Sequence, residues 1–398
     1  MAFGLQRQFD ETMILPSQRL EPLRESVIRE MTRLAIQHNA VNLSQGFPDF
    51  APAPEIIAAA QRALGEGFNQ YVVSWGDPDL RQAIQNYLQK WYALAYDATR
   101  HITVTCGVTE ALVATLMATV HSGAEVIIIE PYHENYLAAC VFAGAQPVFV
   151  ALEPPRYELD VDRLRRAFSK KTRAIILNTP HNPTGRVFTR AEMEGVAALC
   201  REFDAICITD EIYDQIFYVD RAHIPMATLD GMYERTVTIG GLGKTFALTG
   251  WRLGYACAPE TLTPAVRMVH DFMTICAPAP LQRAAVTAMS MPDAYYAQLK
   301  RDYRLRRAKM MELLEQAQLR ATAPEGAYYV LADFSEWDSQ ADDFAFAKYL
   351  TAQVGVAVVP GSSFYHTPGL GKTQVRFAFA KKLETLDAAQ ERLMRARH

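Results

Sequence analysis

The sequence predicts a layered α/β fold built on a mostly parallel sheet, and three observations lead there. Seven short apolar runs, residues 102–106, 125–129, 147–151, 174–177, 205–209, 236–239 and 252–257, punctuate the middle of the chain. Most are near-continuously apolar rather than alternating, as strands buried on both faces are. Between them lie amphipathic stretches of helical period, and strands alternating with helices imply a parallel sheet covered by helices.

Composition sets the bounds of this reading. The chain has 398 residues, 50% hydrophobic and 21% charged, enough apolar material for a large packed core and two or three domain-sized units. Lys+Arg 40 against Asp+Glu 44 leaves a net charge of -4, which argues against nucleic acid or an anionic membrane as the main partner. No apolar run is long enough to span a bilayer. The stretch from Met1 to Leu20 is interrupted by Arg7, Asp10, Glu11 and Arg19 and shows no secretory h-region. The six cysteines, at 106, 140, 200, 207, 257 and 276, form no CxxC pair and read as small buried hydrophobes in a reducing cytoplasm. No metal-ligand spacing accompanies them.

Beyond Pro292 the pattern changes. Residues 294–318 read as one long amphipathic helix, followed by strands at 328–333, 356–359 and 375–380 and helices at 344–353 and 386–397. Near the N-terminus a helix is expected over about 24–38, followed by the loop Ser44-Gln45-Gly46-Phe47-Pro48, whose place periodicity alone does not give. The expected organisation is an N-terminal arm contributing to a small domain (1–50), a large domain (51–291) and a small C-terminal domain (292–398).

In open parallel sheets ligands bind beyond the carboxyl ends of the strands, so the residues just past each apolar run are the ones to weigh. The run 205–209 leads into Asp210-Glu211-Ile212-Tyr213, a carboxylate in a desolvated position that calls for a cationic partner. The run 174–177 leads into Asn178-Thr179-Pro180-His181-Asn182-Pro183-Thr184-Gly185, a turn-rich segment with two amides. The run 236–239 leads into Gly240-Gly241-Leu242-Gly243-Lys244-Thr245, where glycines admit a ligand to the backbone and one amine comes next. Singly, each has an ordinary structural explanation: a helix cap, a turn, a solvated lysine. Their joint position at the ends of neighbouring strands is what points to a site.

These segments resemble the class I/II aminotransferases of pyridoxal-phosphate fold type I, and the resemblance runs nearly end to end. It begins at Val41-Asn42-Leu43-Ser44-Gln45-Gly46-Phe47-Pro48-Asp49-Phe50 and includes Asn69-Gln70-Tyr71, Asn178 to Gly185, Asp210 to Tyr213 and Lys244-Thr245-Phe246. It closes with Thr249-Gly250-Trp251-Arg252 and Val375-Arg376-Phe377. It is most similar to the kynurenine/glutamine (aromatic and methionine) aminotransferase branch. The resemblance implies a large domain with a mostly parallel seven-stranded sheet, pyridoxal 5'-phosphate as cofactor, and ping-pong transfer between an L-amino acid and a 2-oxo acid.

It also implies roles. Lys244 is the Schiff-base lysine and proton shuttle, and Asp210 is the partner that keeps the pyridine nitrogen protonated. Asn182 and Tyr213 are donors to the phenolic oxygen. Gly107, Val108 and Thr109 form a helix N-terminus at the phosphate, joined by Arg252. Arg376 clamps the substrate carboxylate, with Asn182 beside it and the Gly46 backbone at the same group. Tyr71 reaches the phosphate of a neighbouring subunit, which implies a homodimer with shared sites.

Two positions depart from the pattern. Gly241 stands where a phosphate-binding hydroxyl is usual. The ring-stacking position, usually aromatic, is His133, so either His133 stacks on the cofactor or Tyr132 does. Rival readings are a P-loop, which lacks its first glycine because position 238 is Thr, and a zinc hydrolase, which lacks its second histidine because position 137 is Leu. A non-catalytic cofactor-binding regulatory module is a remote third. A C–S β-lyase on the same scaffold shares the chemistry up to the fate of the Cα carbanion, and sequence does not separate it from a transaminase.

Overall fold

The computed structural model describes residues 17–221, 223–338 and 340–397. Most of the N-terminal stretch expected to lack an export signal therefore lies outside the described residues. In chain order the elements begin with α1 (Val27–Gln37), β1 (Val41–Asn42), α2 (Pro54–Gly65), α3 (Pro78–Tyr92), β2 (Ile102–Thr105) and α4 (Val108–Thr119). Next come β3 (Glu125–Glu130), α5 (Asn135–Ala143), β4 (Gln146–Ala151), α6 (Val161–Ala167), β5 (Thr172–Asn178), α7 (Arg190–Glu202) and β6 (Ile206–Asp210). β7 (Thr236–Gly241), β8 (Gly254–Cys257), α8 (Thr263–Thr274), α9 (Ala279–Met289), α10 (Asp293–Gln316), β9 (Arg320–Ala321) and β10 (Tyr329–Asp333) come after them. The chain closes with α11 (Asp343–Tyr349), β11 (Val356–Ala357), β12 (Val359–Pro360), β13 (Gln374–Ala378) and α12 (Leu383–Arg397).

All seven apolar runs are strands of one seven-stranded sheet, in the order β2-β8-β7-β6-β5-β3-β4. It is parallel from β7 to β4, and only β8 runs antiparallel to its two neighbours. The centre of the sheet is buried on both faces, which is why its strands carry apolar residues at successive positions. α4 is apolar all round and almost wholly buried, because it is packed between the sheet and its helical neighbours α5 and α8.

The remaining strands make two small sheets: an antiparallel one in the order β12-β13-β10-β9, and a parallel pair of β1 with β11. The run expected as one strand over 356–359 is thus split between both sheets. β1 carries Val41 onto Val356 and Asn42 onto Ala357, so the segment that periodicity left unplaced is held by pairing with the far end of the chain. A common core gathers Met31 and Leu43 with Tyr303, Leu313, Phe377 and Leu393.

Helix boundaries are set by their caps. α1 starts after Ser26, whose hydroxyl accepts from the Arg29 N–H, three residues later than periodicity suggests. α7 opens with a capping box between Thr189 and Glu192. Gly254 has no space for a side chain, since a Cβ would lie 2.6 Å from the Val108 nitrogen. That close approach seats the start of α4 directly on β8. No described helix is long and apolar enough to cross a membrane.

Candidate active site

The strand ends converge as the sheet requires. Register aligns Asn178 at the end of β5 with Asp210 at the end of β6, and Asp210 with Ile239 of β7. Beyond them opens a cavity of about 480 Å³, lined by Gly46, Gly107, Val108, Thr109, His133, Asn182, Asp210, Tyr213, Lys244, Arg252 and Arg376. Every site residue expected from the sequence is here except Tyr71, which is 78% exposed on the surface. A wider groove of about 840 Å³, lined by Arg156, Arg320 and Gln374 among others, holds none of them.

Asp210 is the buried charge of the cavity. Burial raises its carboxyl above the ordinary range, against the Tyr136 hydroxyl (2.7 Å), the Ile212 N–H (3.3 Å) and the nearby Lys244 charge. Tyr136 is itself pushed up by burial and by Asp210, so it remains a phenol that donates. Behind it, Asn178 donates from Nδ2 to the Asp210 carbonyl (2.8 Å) and accepts the Asn182 N–H (2.7 Å). A carboxylate so placed calls for a cationic partner.

Lys244 Nζ donates to the Gly46 carbonyl (3.0 Å) and lies 5.9 Å and 5.7 Å from the ring centres of Tyr213 and Tyr328. Tyr213 is held well above the ordinary phenol range by burial and by Tyr329, and it donates to the Tyr329 hydroxyl (3.1 Å). Although burial pushes Tyr329 up, the cations Lys244 and Arg376 bring it below its ordinary value.

Arg376 is 1% exposed and sandwiched, with its guanidinium carbon 4.3 Å from the Tyr329 ring centre and 4.8 Å from that of Phe364. It donates to Asn182 Oδ1 (3.1 Å) and to the Ser44 carbonyl (2.7 Å), while its Nε is buried with no partner. Engaging Oδ1 leaves the Asn182 amide nitrogen as a donor uncommitted among the described residues. Gly46 is obligatory, because a Cβ would lie 1.8 Å from the Tyr329 hydroxyl.

The opposite end is built for an anion. Gly107 (φ +84°) opens the N-terminus of α4, and a Cβ there would lie 2.5 Å from the Arg252 guanidinium. Thr109 accepts from Asn135 (2.9 Å). Gly241 is tightly packed rather than merely small: a Cβ would lie 3.0 Å from Val108 and 3.2 Å from the Leu253 carbonyl. Among the described residues no cluster of three or more His, Cys, Asp or Glu is arranged to hold a metal.

The two candidates for the stacking position separate clearly. Tyr132 is turned into the core against Phe149 (centroids 5.6 Å apart), whereas His133 lines the cavity beside Tyr136. Burial, then the charges of Lys244, Arg376 and Arg29, push the His133 imidazole down to about 3.

The chain matches the family model "Aminotransferase class I and II" over residues 38–393. The chain belongs to the class I and II aminotransferases. Human kynurenine–oxoglutarate transaminase 3 is 36% identical, the alignment covering 94% of this chain and 89% of that protein. The structure of N-succinyldiaminopimelate aminotransferase from Mycobacterium tuberculosis superposes with a TM-score of 0.93 at 37% identity, covering 96% of this chain and 99% of that one. An Escherichia coli structure with a methionine aminotransferase function gives 0.92 at 34% identity, covering 96% and 100%. The aminotransferase is thus a pyridoxal-phosphate enzyme of fold type I. The donor set fits that cofactor: an amine on Lys244, a buried carboxylate lacking a cation, and a glycine-opened helix start beside Arg252.

Sequence reasoning missed Tyr136, Tyr328, Tyr329 and Lys381 at this aminotransferase's site. Lys381, buried behind the cavity, donates to the Phe47 carbonyl (2.9 Å), and burial lowers its ammonium to about 8. Tyr136 stood three residues beyond His133 at a helix start and was in principle legible. Lys381 lies just past β13 and carries no local signal.

The depressed His133 value carries a testable consequence. Between about 3 and the ordinary value near 6.5, the unfolded chain holds a proton on this residue that the folded chain does not. Stability therefore falls as pH drops through this window. His133→Phe removes the loss, so the variant gains stability relative to the wild type below about pH 6.5, measured by denaturant unfolding at a series of pH values. Parallel curves for the two proteins contradict the neutral imidazole.

Proposed function

We propose that this aminotransferase moves an amino group from an aromatic, methionine- or glutamine-type L-amino acid to a 2-oxo acid, with Lys244 as its reacting amine. The observation that carries the reading is the convergence of Lys244, Asp210 and Arg376 on one cavity. Pyridoxal phosphate supplies an electron sink for the pair left on the substrate Cα. Asp210, backed by Tyr136, keeps a ring nitrogen cationic. Asn182 and Tyr213 donate to a phenolic oxygen, and Arg252 with Gly107, Val108 and Thr109 holds a phosphate. His133, which lines the cavity, would meet the cofactor as a neutral imidazole. Lys244 would hold and move the proton at the substrate Cα, and Gly46 and Arg376 would fix the substrate carboxylate. The division at about residues 51 and 292 belongs to the same proposal, with the N-terminal arm serving the smaller unit.

We also propose a homodimer. Tyr71 is exposed together with Phe68 and Val73, and Met268, Phe272 (88% exposed), Met273 and Ile275 form a second apolar strip on and just after α8. His270 of α8 joins the two by donating to the Ser74 carbonyl (2.7 Å) while pairing with Glu110 in the first turn of α4 (2.6 Å). Exposed apolar side chains in such number call for cover, and the reading has a partner subunit supply it, with Tyr71 serving the partner's cavity.

Lys244→Ala loses the cofactor's absorbance shift on adding an amino donor, and turnover falls by several orders of magnitude; a variant with normal turnover refutes the role. Arg376→Ala weakens carboxylate substrates by about 2–5 kcal/mol and spares amines that lack a carboxylate. Equal loss for both classes removes the clamp assignment. Mixing Tyr71→Phe with Lys244→Ala subunits restores activity above either parent, because each heterodimer holds one site with neither defect. A protein that is monomeric and active at assay concentration excludes the shared site.

A further inference from the structure

Two tyrosines line the cavity near Lys244, Tyr213 and Tyr329, and the hydrogen bond between them conflicts with the role proposed for the first. A phenol has one proton to donate and accepts on the same oxygen. Tyr213 gives its proton to the Tyr329 hydroxyl (3.1 Å). In its proposed role the same proton goes to the phenolic oxygen of the cofactor. One proton does not serve both. With the cofactor in place, either Tyr213 is no donor to it, or the bond between the two tyrosines runs the other way.

The surroundings of Tyr329 favour reversal. Its hydroxyl is fixed against the loop after β1, where a side chain at Gly46 would lie 1.8 Å from it, and the Arg376 guanidinium lies 4.3 Å from its ring centre. The Gly46 carbonyl already accepts from Lys244 Nζ (3.0 Å) and from the Tyr328 hydroxyl (2.9 Å). A carbonyl oxygen has two lone pairs, so the Tyr329 proton finds no place there. The Tyr213 oxygen, 3.1 Å away, becomes an open acceptor once its own proton turns to another partner. Acidity runs in the same direction. Although burial pushes Tyr329 up, the charges of Lys244 and Arg376 bring it below its ordinary value, whereas burial, Tyr329 and Asp210 hold Tyr213 well above its own. In a bonded pair of phenols the more acidic one is the better donor.

We propose that Tyr329 is a positioning residue whose hydroxyl donates to the Tyr213 oxygen and thereby keeps the Tyr213 proton directed at the phenolic oxygen of the cofactor. The assignment rests on the reading of Tyr213 as a donor to that oxygen. Tyr329 acts through Tyr213, by filling its acceptor side and polarising its O–H, and hydrogen bonds in a chain strengthen one another. A stronger donor stabilises negative charge on the phenolic oxygen. It therefore lowers the pH at which the bound cofactor gives up its proton.

The test is a spectrophotometric pH titration of the holoenzyme, with pyridoxal phosphate bound and no substrate, which reads the midpoint of the cofactor's colour change. Tyr213→Phe, Tyr329→Phe and the double variant are compared with the wild type. Each keeps its ring, so the packing of residue 329 against Arg376 and residue 213 (centroids 5.9 Å apart) is retained. Tyr329→Phe is expected to raise the midpoint by about half to one pH unit, the weight of one neutral hydrogen bond. Tyr213→Phe is expected to raise it further. The double variant is expected to match Tyr213→Phe, because Tyr329 has nothing to act through once residue 213 has lost its hydroxyl. A midpoint unchanged or lowered in Tyr329→Phe, or shifts that add in the double variant, overturns the assignment and leaves Tyr213 in its role. A midpoint unchanged in Tyr213→Phe overturns the donor reading of Tyr213, and this assignment with it.

Discussion

A carboxylate buried at the end of a central strand is expensive to desolvate, and Asp210 is such a group without an ion pair of its own among the described residues. Much of the surrounding architecture compensates for it. The Tyr136 hydroxyl reaches it from the first turn of α5, the Ile212 N–H from the turn after β6, and Asn178 braces its carbonyl from the neighbouring strand. The parallel register of β5, β6 and β7 is what brings these donors, and the lysine-bearing segment, to one edge. Incomplete compensation leaves Asp210 open to a cationic partner.

The Arg376 end of the cavity is organised by main-chain oxygens instead. Three carbonyls of the loop after β1 accept from the groups that line or back the cavity: Ser44 from Arg376, Gly46 from Lys244 and Tyr328, and Phe47 from Lys381. Three buried or half-buried cations are thereby engaged without any acidic side chain, although Arg376 Nε keeps no partner among the described residues. That arrangement leaves the cavity's net positive character available to anionic ligands. It also explains why Gly46 tolerates no side chain: the loop must lie against the phenol layer of Tyr328 and Tyr329.

Most of this was legible in the sequence wherever the information is local. The seven strands show because burial on both faces forces continuous apolar runs, and Asp210, Asn182 and Lys244 show because each comes just after such a run. Pairing between distant segments left no such trace. The place of Val41 and Asn42, the split of 356–359 between two sheets, and the position of Lys381 depend on contacts from opposite ends of the chain. The stacking position was ambiguous for a different reason: Tyr132 and His133 are adjacent, and adjacent side chains take opposite directions that only the packing of Phe149 decides.

The pairing of β1 with β11 orders the assembly of the enzyme in time. The large sheet and the groups beyond its strand ends come from one uninterrupted stretch, residues 102–257, which emerges from the ribosome with its strand partners already made. The loop bearing Ser44 and Gly46 is synthesised earlier, yet it has no sheet to join until Val356 and Ala357 exist. Non-local pairing of this kind pays its loop-closure entropy before any contact rewards it. During synthesis the groups beyond the ends of β5, β6 and β7 are thus together while the segment before Ser44 is an unpaired strand waiting for the end of the message. Truncation before Val356 would leave the loop that bears Ser44 and Gly46 without its strand partner, far along the chain from the loop itself.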